Sequence, residues 1–137
     1  EFIAILTRAL QLPLEGSTEY GDVTGTCVGE EVAAAENAGI IPKGDSDSRF
    51  RPNDEITRVE MIEMIYRAIA PYGMPAQQEQ MAFRDTVELN LVQLEALRYT
   101  TQIGVISGYP DGTFKPQNSL QRAEAFKVIS ALLQLIQ

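Results

Sequence analysis

Phe50-Arg51-Pro52-Asn53-Asp54-Glu55-Ile56-Thr57-Arg58-Val59-Glu60 and Phe114-Lys115-Pro116-Gln117-Asn118-Ser119-Leu120-Gln121-Arg122-Ala123-Glu124 are two versions of one phrase, 64 residues apart. The likeness extends outward. Gly39-Ile40-Ile41 matches Gly104-Val105-Ile106, and Tyr20-Gly21-Asp22 matches Phe83-Arg84-Asp85, each with one residue of slippage. Glu1 to Leu10 aligns with Glu60 to Ile69 and with Glu124 to Leu133. Repetition on this scale means stacked supersecondary units, each too small to bury its apolar face alone. The chain is expected to hold the last helix of one unit (1–12) and two whole units (20–70 and 83–137).

Each unit follows the same plan. An aromatic-x-Asp opening is followed by a first helix, predicted at about 29–38 and 89–103. Gly39 and Gly104 stand where a left-handed residue ends that helix, with Ile40 and Val105 as the apolar residue beyond the stop. A loop follows, and Tyr109-Pro110-Asp111-Gly112 marks a tight turn in the second copy. A second helix is predicted from Arg58 to Ala70 and from Arg122 to Ile136. Its core stripe is Ile62, Ile65, Tyr66 and Ile69 in one copy and Phe126, Ile129, Leu133 and Ile136 in the other. Ile3, Leu6 and Leu10 continue the pattern in the partial copy, and the three second helices are expected to pack together. Pro71 to Gln80 reads as a linker.

Composition narrows the function. The 137 residues are 45% apolar and 22% charged, as in a folded domain. Nineteen acidic against 11 basic residues give a net charge of −8, opposite to the basic surplus of a nucleic-acid binder. There is no His and one Cys, Cys27, so a His-based triad is excluded and a zinc site is not expected. No apolar run approaches the roughly 20 residues of a membrane span. The run Asp45-Ser46-Asp47-Ser48-Arg49 fails as a calcium loop, because Phe50 and Ile56 stand where Gly and Glu are needed. No carboxylate pair is marked as a general acid and base.

The residues that invite a functional reading lie at the helix starts. Thr57 and Glu60 have the spacing of a capping box, and Gln121 before Glu124 is a poorer version of it. Arg58 and Arg122 place a cation in the first turn, against the helix macrodipole. Beside free backbone N–H groups, such an arginine makes an anion site suited to a carboxylate. The alternative is an ion pair of Arg58 with Asp54 or Glu55, and of Arg122 with an acid of another unit. Gly39, Gly44, Gly104 and Gly108 either stop helices and form turns or let a ligand approach the backbone. Asp22 and Asp85 either cap the first helices or bond a sugar hydroxyl.

Gly104-Val105-Ile106-Ser107-Gly108-Tyr109-Pro110-Asp111-Gly112-Thr113-Phe114-Lys115-Pro116, with Gln121-Arg122-Ala123-Glu124 and Thr57-Arg58-Val59-Glu60, resembles the S-layer homology family over almost the whole chain. The resemblance implies an all-α fold of helix-loop-helix units in a pseudo-threefold bundle. It implies non-covalent anchoring of a cell-envelope protein to anionic, often pyruvylated, cell-wall polysaccharide, at the cell surface. It implies no catalysis and no cofactor. Cys27 and Val92 stand where such units commonly carry Trp, and the loop from Lys43 to Arg49 lacks the Tyr and the Asp-Gly pair. Ligand contacts fall by resemblance on Arg58, Arg122, Gly39, Gly44, Gly104, Gly108, Asp22 and Asp85. At most two competent grooves are expected, the tighter one formed by Arg122 and the complete loop. The other readings are a helical-repeat module for protein–protein assembly at the cell surface, or an accessory domain of an envelope enzyme.

Overall fold

A computed structural model describes residues 2–69 and 83–136. It contains five helices among these residues: α1 (Phe2–Ala9), α2 (Cys27–Asn37), α3 (Arg58–Ile69), α4 (Leu91–Gln102) and α5 (Arg122–Ile136). The fold is all-α, with one isolated antiparallel bridge between Thr57 and Ser119. The Pro71 to Gln80 linker lies outside the described residues. None of the described helices is long and apolar enough to cross a membrane.

The chain divides into two compact units, Glu1–Glu55 and Ile56–Gln137. This boundary cuts through the second sequence repeat. In the first unit α1 packs on α2, and in the second α3 packs on α4. The second helix of one repeat thus finds its partner in the first helix of the next. An amphipathic helix needs an apolar surface to cover, and here the following repeat supplies it.

The first unit closes over Phe2, Ile3, Leu6, Val23, Val32, Ile40 and Ile41. Helix α2 starts at Cys27 rather than Gly29, because the Thr26 side chain accepts from the Gly29 N–H and caps the helix. Gly39 has φ +78°, and Ile40 N–H donates to Ala35 C=O while Gly39 N–H donates to Glu36 C=O. That pair of bonds is the Schellman stop predicted from the sequence. Gly104 repeats it at φ +79°, with Val105 N–H on Thr100 C=O.

In the second unit the stripe on α3 is as predicted at Ile62, Ile65 and Ile69, all buried. Burying each of these side chains contributes about 1.5–3 kcal/mol. Tyr66 sits beside them, edge-on to Tyr99 at 5.5 Å. Helix α4 is capped by Asn90 in a reciprocal box with Gln93, which moves its start from 89 to Leu91. Helix α5 departs from the predicted stripe. It buries Ala125, Val128, Ile129 and Leu132 and leaves Phe126 exposed. Both sets fit a 3.6-residue period. They share Ile129 and differ in mean direction by roughly 70° around the helix.

Candidate functional site

The two aromatic-x-Asp openings build the same device in each unit. Asp22 accepts from the N–H groups of Phe50 and Arg51, both at 2.8 Å. Asp85 accepts from Phe114 N–H at 2.9 Å and Lys115 N–H at 2.7 Å. Arg51 and Lys115 are held at φ +59° and +60°, a left-handed conformation that costs energy for residues with a Cβ. Each carboxylate thus pins a strained corner just before the second helix. This corrects the expectation that Asp22 and Asp85 cap the first helices, since Thr26 and Asn90 do that.

The aromatic of each opening covers the same corner. Tyr20 meets Phe50 edge-on at 6.0 Å, and Phe83 meets Phe114 at 5.9 Å. A glycine faces each ring. A Cβ on Gly44 would come within 2.7 Å of the Tyr20 ring, and one on Gly108 within 2.1 Å of Phe83. Gly44 and Gly108 therefore have a structural duty, close approach of an aromatic ring, as Gly39 and Gly104 have in stopping helices. Gly44 N–H also donates to Glu36, a buried carboxylate that the sequence did not single out.

Asp22 carries a pH signature. Donation from the Phe50 N–H, then from that of Arg51, holds its carboxyl below the usual carboxylate range. A lowered folded-state value means that the clamp's contribution is complete above the unfolded value of about 3.9 and lost as pH falls through the folded value. Amide exchange at Phe50 and Arg51 should therefore be unchanged from pH 7 to 5 after correction for intrinsic rates. It should accelerate only below about pH 4. Acceleration already at pH 5 would show that Asp22 is not what holds these amides.

Arg58 is the centre of the second unit's site. It is 3% exposed. Its Nε donates to Phe114 C=O at 2.9 Å, one Nη donates to Ser107 C=O at 3.2 Å, and the other meets the Glu124 carboxylate. The guanidinium lies 4.6 Å from the Phe114 ring centroid and 4.9 Å from that of Tyr109. Lys115 places its Nζ 4.3 Å from the same Tyr109 ring. The loop from Ser107 to Lys115 thus wraps a cation delivered by α3, and Tyr109 is within cation–π range of two positive charges.

Three expectations are corrected here. Arg58 pairs with Glu124, from α5, rather than with Asp54 or Glu55. The first-turn amides of α3 do not offer an open anion site. Arg58 N–H donates to Asn118 C=O and Val59 N–H to Pro116 C=O, both at 2.9 Å, while Glu60 N–H donates to Thr57 Oγ1. The near-complete loop seats Arg58, from the preceding repeat, where Arg122 had been expected. Arg122 lies exposed at the start of α5. In the first unit the corresponding loop is tied by Arg49, which donates to Ser46 C=O and Ser48 C=O, both at 3.0 Å.

Tyr109, Lys115 and the carbonyls of Ser107 and Phe114 were not among the predicted site residues. Their position within a cation's reach depends on the loop's path, which periodicity does not describe. Among the described residues no group of three or more metal-ligating side chains comes together.

The family model of the S-layer homology domain matches residues 19–62 and 95–126, more than half of the chain. The chain belongs to the S-layer homology family. It is 33% identical over 98% of its length to an amylopullulanase of Thermoanaerobacterium thermosulfurigenes, of which it spans 7%. It is 29% identical over 88% of its length to cell surface glycoprotein 1 of Acetivibrio thermocellus, spanning 5% of that protein. It is 33% identical over 66% of its length to a cellulosome-anchoring protein of the same organism, spanning 20%. The chain thus corresponds to a small part of each of these relatives, shared between enzymes and surface proteins. It is a surface-anchoring module of the cell envelope.

Proposed function

We propose that the chain anchors a cell-envelope protein by binding an anionic cell-wall polysaccharide non-covalently, without catalysing a reaction. The ligand class is a glycan with carboxylates, such as pyruvyl ketals. The observation that carries this reading is the seat of Arg58. Its guanidinium is oriented by two main-chain carbonyls and two aromatic rings, and its outer edge already holds a carboxylate. A guanidinium fixed in this way is suited to planar recognition of a carboxylate. The Tyr109 ring beside it, flanked by Lys115, has the chemistry to take a sugar face and a second negative group. Asp85, Gly104 and Gly108 shape that loop, while Asp22, Gly39 and Gly44 shape its counterpart in the first unit. Arg122, exposed on α5, is a second candidate contact. The chain's charge of −8 repels an anionic polymer at long range, so the attraction has to be local.

Sedimentation with purified wall polysaccharide tests the proposal. The protein should co-sediment with the intact polymer and much less with polymer stripped of its ketals. Added salt up to about 0.1 M should strengthen binding, by screening the long-range repulsion over a Debye length of about 10 Å. Equal binding to both polymers would reject the carboxylate as the recognised group, and no binding to either would reject the reading.

A second reading, protein–protein assembly, is favoured by one observation. Val87 is 93% exposed and Leu91 84% exposed near the start of α4, beside the half-exposed Val92. Concentration-dependent self-association removed by Val87→Ser with Leu91→Ser would support it.

A further inference from the structure

We infer that Glu124 is a resident stand-in for the ligand's carboxylate, occupying Arg58 until a glycan acid displaces it. This inference rests on the proposed reading of the site and adds how that site is regulated.

The first observation is a divergence between repeat equivalents. Glu60 and Glu124 hold the same place in the repeated phrase. Glu60 turns back to its helix start, accepting from Thr57 N–H at 3.3 Å and Thr57 Oγ1 at 3.0 Å. Glu124 instead reaches Arg58. The residue that differs is the cap. Gln121 replaces Thr, so Glu124 lacks the hydroxyl that anchors Glu60.

The second observation is the order of the partners. Two of Arg58's three acceptors are main-chain carbonyls, Phe114 and Ser107, which cannot leave without moving the loop. Glu124 is the one side-chain acceptor. Its side chain is 25% exposed while that of Arg58 is 3% exposed, so Glu124 is the partner in contact with water. An incoming carboxylate can take its place while the cation stays paired, and Glu124 needs only to turn outward. Exchanging one carboxylate for another avoids the cost of leaving a buried charge uncompensated. The displaced Glu124 would still compete for the position, which lowers the apparent affinity of the resting protein.

The test measures binding to purified pyruvylated wall polysaccharide, and to the same polymer after removal of the ketals, by titration calorimetry. Glu124→Gln keeps an acceptor for Arg58 and removes the competing charge. It is expected to bind the intact polymer about tenfold tighter than the parent, the worth of one charge-assisted hydrogen bond, with no gain on the stripped polymer. Gln121→Thr recreates the box seen at Thr57 and should draw Glu124 back, giving a smaller gain in the same direction. Equal or weaker binding by a folded Glu124→Gln variant overturns the inference. So does a gain of the same size on the stripped polymer, which would reflect net charge alone. If Glu124→Gln does not fold, Gln121→Thr decides, and equal or weaker binding by it overturns the inference. If the parent and both variants fail to bind the intact polymer, the underlying reading falls and this inference with it.

Discussion

Arg58→Leu should lower the melting temperature of the second unit by more than about 10 °C. The substitution strands Glu124 without its cation and leaves the carbonyls of Phe114 and Ser107 without donors. Breaking a buried ion pair from one side costs about 3–5 kcal/mol. In a unit of this size each kcal/mol moves the midpoint by roughly 4–8 °C. Arg58→Lys should recover only part of the loss, because an ammonium cannot hold three divergent acceptors and two ring faces at once. Arg122→Ala, at an exposed position, should change stability by about 0.5 kcal/mol or less. The burial of Arg58 is what separates the two arginines. Scanning calorimetry decides, and an unchanged midpoint in Arg58→Leu would mean that the cation is not seated in the loop.

Asp85→Ala should unpin the corner that frames the same site. It removes two hydrogen bonds from a carboxylate to Phe114 N–H and Lys115 N–H, at a residue whose left-handed φ is unfavourable without support. The expected loss is about 2–4 kcal/mol, from two charge-assisted bonds partly replaced by water. Asp85→Asn keeps one acceptor oxygen and should fall between. Because Phe114 also supplies the carbonyl and ring that hold Arg58, polysaccharide binding should weaken along with stability. Amide exchange at Phe114 and Lys115 would show the release directly. Protection equal to the parent in Asp85→Ala would assign the corner to some other contact.

Much of this architecture could be read from the sequence. The repeated phrase and the Gly39 and Gly104 stops define helix-loop-helix units, and both stops form as expected. Thr57 and Glu60 bond reciprocally, as their spacing implies. The site was less legible. A motif names residue types within one repeat, but the Arg58 seat is made by one repeat's helix start and the next repeat's loop. That pairing is set by three-dimensional packing, and the 64-residue period does not contain it. The same applies to Asp22 and Asp85. Their position before a helix suggested caps, while their partners lie 28 to 30 residues further on. The rotation of α5 was missed because two overlapping stripes satisfy the same periodicity.

The most direct measurement follows the Arg58 Nε–H resonance, together with the amides of Ser107 to Lys115, while a pyruvylated fragment of wall polysaccharide is added. The Nε–H donates to a main-chain carbonyl and is sheltered from exchange, so it should be visible and report on its own surroundings. Binding at this site predicts saturable shifts at Arg58, Tyr109 and Lys115, and none with the stripped fragment. Saturable shifts centred on Val87 and Leu91, with Arg58 unmoved, would place the glycan elsewhere and contradict the assignment.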